Sequence, residues 1–442
     1  MKNILVLGAG MVAKPLVRYL LDQENINVIL ADQMQEKAQA LIAQHPRGSA
    51  RALNVKDDDR LSELVANADL VVSLLPYAFH VRVAQYCLAH NTHLITASYV
   101  STDMKALDQS ARDRGLLFLN EMGLDPGIDH MSAMKIIHEV EGRGGKIVSL
   151  ESCCGGLPAP EANDNPFGYK FSWSPRGVVM AGLGPARYLK DGKEIRIPGR
   201  ELFKHHWLKP VQGLGELEVY PNRDSLMYKE LYGLKDVHTL FRGTFRNPGW
   251  CETLEKIVQL GYLDETENPD LPNKTFAQVT AELINASPNA DLKKSLALFL
   301  NLPEDSPIIA RLEWLGLLSN DKINAEPPTL LDALATRMQE KMSYKEGERD
   351  MIVLQHDFVA EYADGKKEQI CSLLIDYGIP HGDSSMARTV SLPVAIASRL
   401  IVNGQITLTG VHVPVQPEIY QPVLQELEDM GIKFKESITR IA

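Results

Sequence analysis

At 442 residues, with 45% hydrophobic and 23% charged residues, the chain is an ordinary globular protein too long for one core, so two or three domains are expected. A net charge of −11 argues against nucleic acid as a partner, because phosphate contacts need clustered Lys and Arg; small anionic metabolites stay open, since local sites hold them. Five cysteines, an odd number without C-x-x-C, read as reduced thiols, and no apolar stretch approaches the ~20 residues of a membrane span. A cytoplasmic protein without a membrane partner is the expectation.

The first predicted strand is the apolar run Ile4, Leu5, Val6, Leu7, of the kind buried on both faces of a parallel sheet. Gly8, Gly10 and Ala13 follow as G-x-G-x-x-A and lead into an apolar helical stretch. Gly8 permits a tight turn, Gly10 lets a pyrophosphate approach the backbone, and Ala13 lets the helix pack on its strand. The phosphates would sit at the helix N-terminus, where free N–H groups and the dipole favour anions. Asn27–Ala31 reads as the second strand, and Asp32, 22 positions after Gly10, stands where an acid bonds a ribose 2′-hydroxyl.

Strand and helix then alternate: strands at Ala50–Val55, Asp69–Leu75, Leu94–Tyr99 and Leu116–Met122, helices at Arg60–Asn67, Phe79–His90 and Thr102–Arg114. That grammar predicts an α/β fold with a Rossmann-like, doubly wound parallel sheet, whose ligands bind beyond the carboxyl ends of the strands. The residues there are Gly8, Ala9, Gly10, Met11, Val12, Asp32, Pro76–Tyr77, Ser98–Tyr99 and Gly123–Gly127, including Leu124, Asp125 and Pro126. Pro126 precedes a predicted helix, Ile128–Val140, which makes Asp125 its N-cap candidate and also places it to face a substrate.

From Lys146 strand-like runs follow one another without long helices, and Asp191–Gly192 is a hairpin signal. A mostly antiparallel second domain of α+β type is expected. Its loops carry Arg176, Arg223, Arg242 and Arg246 among aromatics, suited to grip carboxylates with guanidinium forks. Residues 250–345 read as a helical insertion, 350–377 as a returning hairpin, and Gln405–Val411 as a strand completing the first sheet between helices Ser385–Asn403 and Gln421–Met430. The expected division is 1–125 with 386–442 for the dinucleotide, 126–249 with 346–385 for the substrate, and 250–345 as insertion. His205–His206 lacks the spacing of a metal site, Gly142–Lys146 follows a helix rather than a strand, and no G-x-S-x-G occurs, so neither a metal nor serine-hydrolase chemistry is expected.

The stretches LLPYAFH, ASYVS, NEMGLDPGIDH, CCGGLPAPEANDNPFGYKFSWSPRG, VYPNRDS and FRGTFR closely resemble saccharopine reductase, the glutamate-forming saccharopine dehydrogenase family, over most of the chain. The resemblance implies a three-domain homodimer that joins or separates glutamate and aminoadipate semialdehyde, with a nicotinamide carrying the hydride. It further implies substrate contacts at Ser98, Tyr99, Asp125, Arg223, Thr244, Phe245 and Arg246. Cofactor contacts would fall at Ala9–Val12, Asp32, Asn54, Val55, Leu75, Ala97 and Ser98. Hydrolysis of an imine calls for an acid–base, for which Asp125 or Tyr99 is the candidate, with the substrate amine or solvent as the alternative proton carrier. One departure bears on the cofactor: NADP-using members resemble a basic or hydroxyl residue after the second strand, whereas this chain has Ala31-Asp32-Gln33. A carboxylate there repels a 2′-phosphate, so NAD is expected ahead of NADP. Two rivals stay open: another imine-reducing dehydrogenase such as carboxynorspermidine dehydrogenase, whose polyamine would want acids in place of Arg223 and Arg246, and a non-enzymatic nucleotide sensor.

Overall fold

The chain is described by a computed structural model over residues 1–287 and 289–441. It separates into two compact units, one made of Met1–Lys146 with Gly382–Lys435 and the other of Ile147–His381 with the residues from Glu436 onward.

In the first unit, β1 (Lys2–Leu7), β2 (Ile26–Asp32), β3 (Gly48–Ala52), β4 (Leu70–Ser73), β5 (His93–Thr96) and β6 (Leu117–Leu119) alternate with helices. The sheet runs β6-β5-β4-β1-β2-β3, with a further short strand, Gly410–His412, beside β6, and these pairings are parallel. Chain order reverses between β1 and β4, which opens the crevice where such sheets bind dinucleotides. Ile4, Leu5, Val6 and Leu7 are fully buried, as an apolar run without alternation requires.

Local details depart from expectation. The third strand ends at Ala52, so Asn54 and Val55 lie in the loop beyond it. The stretch expected as one helix divides into Thr102–Lys105 and Asp108–Asp113. Asp108 is tied elsewhere: its carboxylate accepts the Val411 N–H at 2.7 Å and holds Arg112. The late strand covers only Gly410–His412. The helix Ser385–Val402 is long and apolar enough to cross a membrane by length and composition, contrary to the reading that no stretch came near it. It is mostly buried within its unit and lies against the helix Ala13–Asp22, so its apolarity serves a core.

The second unit is built on a mixed sheet. Its strands are β7 (Gly145–Pro158), β8 (Ala186–Lys190), β9 (Lys193–Ile197), β10 (Trp207–Val211), β11 (Gly215–Pro221), β12 (Thr239–Arg246), β13 (Asp350–Tyr362) and β14 (Lys367–Tyr377). The order is β10-β11-β12-β7-β13-β14 with the strand Lys435–Ile441 beyond β14; β12 pairs β7 in parallel, the β10–β11, β11–β12 and β13–β14 pairs are antiparallel, and the β8–β9 hairpin attaches to β12. Asp191 and Gly192 both have positive φ, 48° and 76°, as a two-residue hairpin turn requires. Helices Trp250–Leu260, Pro307–Leu315 and Leu330–Lys341 share one core with the sheet, joining Leu254, Ile309 and Leu334 to Val219, Phe245 and Val353.

Candidate functional site

The glycine turn has the geometry its sequence promised. Gly8 adopts φ of +104°, and a Cβ there would lie 3.2 Å from the Leu74 carbonyl oxygen, so only glycine fits comfortably. A Cβ on Gly10 would meet nothing within 4 Å, which leaves open space where a diphosphate would approach. Val12 caps the helix Ala13–Asp22 without a side-chain bond, so no side chain competes for the first-turn N–H groups. Met11 is 63% exposed beside them. Asn54 turns its side-chain oxygen onto the Lys56 N–H at 3.0 Å, Val55 and Leu75 are half-buried, and Leu124 and Pro126 are buried. These residues fit a dinucleotide.

Beyond β5 the segment Ala97–Val100 carries Ser98 and Tyr99. The Tyr99 hydroxyl donates to Asp125 Oδ1 at 3.2 Å, which brings together the two acid–base candidates. Asp125 is not the N-cap of the following helix. That position falls to Gly127, whose N–H donates to Asp129 Oδ1 at 2.6 Å. Gly127 lies so tightly on Gly123 that a Cβ would come 2.0 Å from the Gly123 oxygen, a fit no local motif announces. The Asp125 carboxylate is thereby left off capping duty and on Tyr99.

In the second unit the four arginines divide. Arg176 is committed to Asp332 and Glu265, and Arg242 is buried against Tyr228, its carbon Cζ 4.4 Å from the ring centroid, so neither offers the free fork expected of it. Arg223 is exposed in a left-handed conformation, φ 56°. Arg246 is 4% exposed, with its Cζ 4.9, 5.8 and 5.5 Å from the rings of Tyr169, Tyr220 and Trp250. Its Nε and the Trp250 Nε1 are buried without a hydrogen-bond partner. Thr244 and Phe245 precede it on β12, Phe245 fully buried. Sequence reasoning missed Glu218, the register partner of Arg246, whose buried carboxylate accepts the Gly249 and Cys251 N–H groups and anchors the helix carrying Trp250. A lone Glu in an alternating strand carries no signal for that.

A doubly wound sheet with this turn defines a class: a dinucleotide-binding protein of the Rossmann type. The family model described as "Saccharopine dehydrogenase NADP binding domain" matches residues 4–119, and the "Saccharopine dehydrogenase C-terminal domain" matches 123–432. Saccharopine dehydrogenase [NADP(+), L-glutamate-forming] of Schizosaccharomyces pombe is 39% identical over 99% of both chains. That of Saccharomyces cerevisiae is 41% identical over 98% of this chain and 99% of its own. The mitochondrial alpha-aminoadipic semialdehyde synthase of Bos taurus is 39% identical over 98% of this chain but 47% of its own length. The solved apo saccharopine dehydrogenase (L-Glu forming) of Saccharomyces cerevisiae matches with TM-score 0.90 at 39% identity, covering 99% of this chain and 100% of that one. The chain belongs to the saccharopine dehydrogenase family, in its L-glutamate-forming branch.

The expectation of NAD ahead of NADP is overturned: the matching family model is an NADP-binding domain, and these fungal relatives carry NADP(+) in their names. In the structure Asp32 Oδ2 accepts the Ala9 N–H at 2.7 Å and Oδ1 accepts the Met34 N–H at 2.8 Å, so the carboxylate braces the glycine turn from the end of β2.

Proposed function

We propose that this protein oxidises saccharopine to glutamate and aminoadipate semialdehyde, and runs the reverse condensation, with NADP as hydride carrier. The observation that carries the reading is the full-length likeness to L-glutamate-forming relatives, 39–41% identical from end to end. A homodimer in the cytoplasm, and a division in which 250–345 inserts into the substrate-binding part, belong to the same reading. The family resemblance supports these, and the five cysteines, none of them in a disulfide among the described residues, suit the reducing compartment.

Binding a tricarboxylic secondary amine desolvates its anions, which is tolerable only against fixed positive partners. Arg246 is assigned one carboxylate, its unpartnered Nε and the neighbouring Trp250 Nε1 supporting that role, and Arg223 a second. Ser98, Tyr99, Thr244 and Phe245 complete the contacts. The bound nicotinamide supplies hydride acceptance. Loss of hydride from carbon and a proton from nitrogen makes the C–N bond an imine. Water adds to that carbon, the C–N bond breaks, and the nitrogen leaves as the amine of glutamate. Asp125, with Tyr99 donating to it, is assigned the proton transfers at nitrogen and water. A polyamine-type substrate is disfavoured, because an uncompensated cation would meet the buried guanidinium of Arg246. The test is saccharopine-dependent reduction of NADP by the purified chain, with glutamate measured as product.

A further inference from the structure

The segment Ala97–Val100 is held from two sides by side chains to which the sequence reading assigned no role. Glu121, at φ of 59°, donates its N–H to the Ser98 carbonyl at 3.1 Å and accepts the Val100 N–H on Oε1 at 2.9 Å. Its other oxygen meets His130 Nε2 at 2.7 Å, both side chains essentially unexposed. A residue in that backbone region persists only where its surroundings over-determine it, so the segment is fixed from below. From the other side comes His80, 4% exposed at the start of the helix His80–His90. Its Nδ1 lies 2.9 Å from Ser73 Oγ, and its Nε2 lies 2.7 Å from Ser98 Oγ and 3.3 Å from Thr96 Oγ1. Ser73 and Thr96 are register partners at the ends of β4 and β5, so the imidazole spans two strand ends to reach Ser98.

Burial holds this imidazole neutral, pushing its pKa down to about 4, so it carries one N–H and one acceptor nitrogen. Ser73 is fully buried, and among the described residues its hydroxyl has no hydrogen-bond partner except His80. If Nδ1 donated, the Ser73 proton would be buried with no acceptor, a costly arrangement. With Ser73 donating to Nδ1, Nε2–H donates to Ser98 Oγ, the shorter of its two contacts at 2.7 Å, while Thr96 Oγ1 stands at 3.3 Å and accepts the Ser98 N–H. The Ser98 proton is then left to point away from the network. The chain of groups ends blind at Ser73, so it orients a hydroxyl and conducts no proton.

We propose that His80 is a positioning residue that fixes Ser98 as an outward hydrogen-bond donor, for a carboxylate or carboxamide oxygen of substrate or cofactor. This rests on the family reading for the reaction and on the assignment of Ser98 as a ligand contact. The test measures kcat, KM for saccharopine and Kd for NADPH in His80→Leu, His80→Gln, Ser98→Ala and the His80→Leu/Ser98→Ala double variant, with melting temperatures alongside. His80→Leu is expected to lower kcat/KM about tenfold, the worth of one hydrogen bond. His80→Gln, whose amide N–H reaches toward Ser98, is expected to recover most of it, and adding Ser98→Ala to His80→Leu to cost nothing further. Independent losses that add, no loss in His80→Leu, or no recovery with Gln would each overturn the proposal. If His80→Leu does not fold, Ser73→Ala replaces it under the same criteria, since it frees the imidazole to change tautomer. Failure of the wild type to oxidise saccharopine would sink the functional reading alone, because NADPH affinity in the same variants still reads the His80 coupling.

Discussion

Replacing Arg246 with Met isolates what the buried guanidinium does. A carboxylate held by two charge-assisted hydrogen bonds, each about 1.5–3 kcal/mol, loses on the order of 3 kcal/mol when the fork is removed, or about 150-fold in kcat/KM. The fold is expected to tolerate the change. Three rings lie within 4.9 to 5.8 Å of Cζ and contribute about 0.5–2 kcal/mol each to holding the cation, but burial of a charge with an unsatisfied Nε opposes them. Met keeps apolar volume against Tyr169 and Trp250, so the melting temperature should move by only a few degrees. Arg246→Lys, a point charge without the fork, should fall between, with about a tenfold loss. The assay is the initial rate of NADPH formation against saccharopine concentration, with thermal unfolding in parallel. A folded Arg246→Met enzyme with kcat/KM within threefold of wild type would refute the assignment.

Three further outcomes are expected. Gly10→Val adds its side chain into open space, so stability should change by less than about 0.5 kcal/mol while NADPH Kd rises at least tenfold by titration. Gly127→Ala places a Cβ 2.0 Å from the Gly123 oxygen in a strained backbone, and denaturant unfolding should show a loss above ~3 kcal/mol. His80 makes stability pH-dependent. An unfolded histidine takes up its proton near pH 6.5, but in the fold His80 does so only near 4. Between those values the unfolded chain binds the extra proton, so stability rises with pH from about 4 to 6.5 and levels above. His80→Gln should remove up to about 3 kcal/mol of that slope, and an unchanged profile of unfolding midpoint against pH would contradict it.

The glycine turn, the parallel alternation and the hairpins were legible because their signals are local: Gly8 needs its positive φ and Asp191–Gly192 its turn wherever they occur. Side-chain partners were not. Arg176 and Arg246 look alike in sequence, yet one meets an aspartate 156 positions away and the other three aromatic rings. Asp32 stands at the spacing of a ribose ligand, but spacing does not show that its oxygens also accept the Ala9 and Met34 N–H groups. Asp125 looks like a helix cap from sequence, yet the N-cap position falls to Gly127, which packs tightly on Gly123, a contact four positions apart that no motif announces. His80 and Glu121 act on a segment about 20 residues away through single bonds, which leave no period to read.

The most direct measurement is to supply the purified protein with saccharopine and NADP and follow reduced nicotinamide and free glutamate together. The account predicts that both appear in equal amounts and that neither forms when saccharopine is left out. Saccharopine left intact with NADP, and equally with NAD, would contradict it.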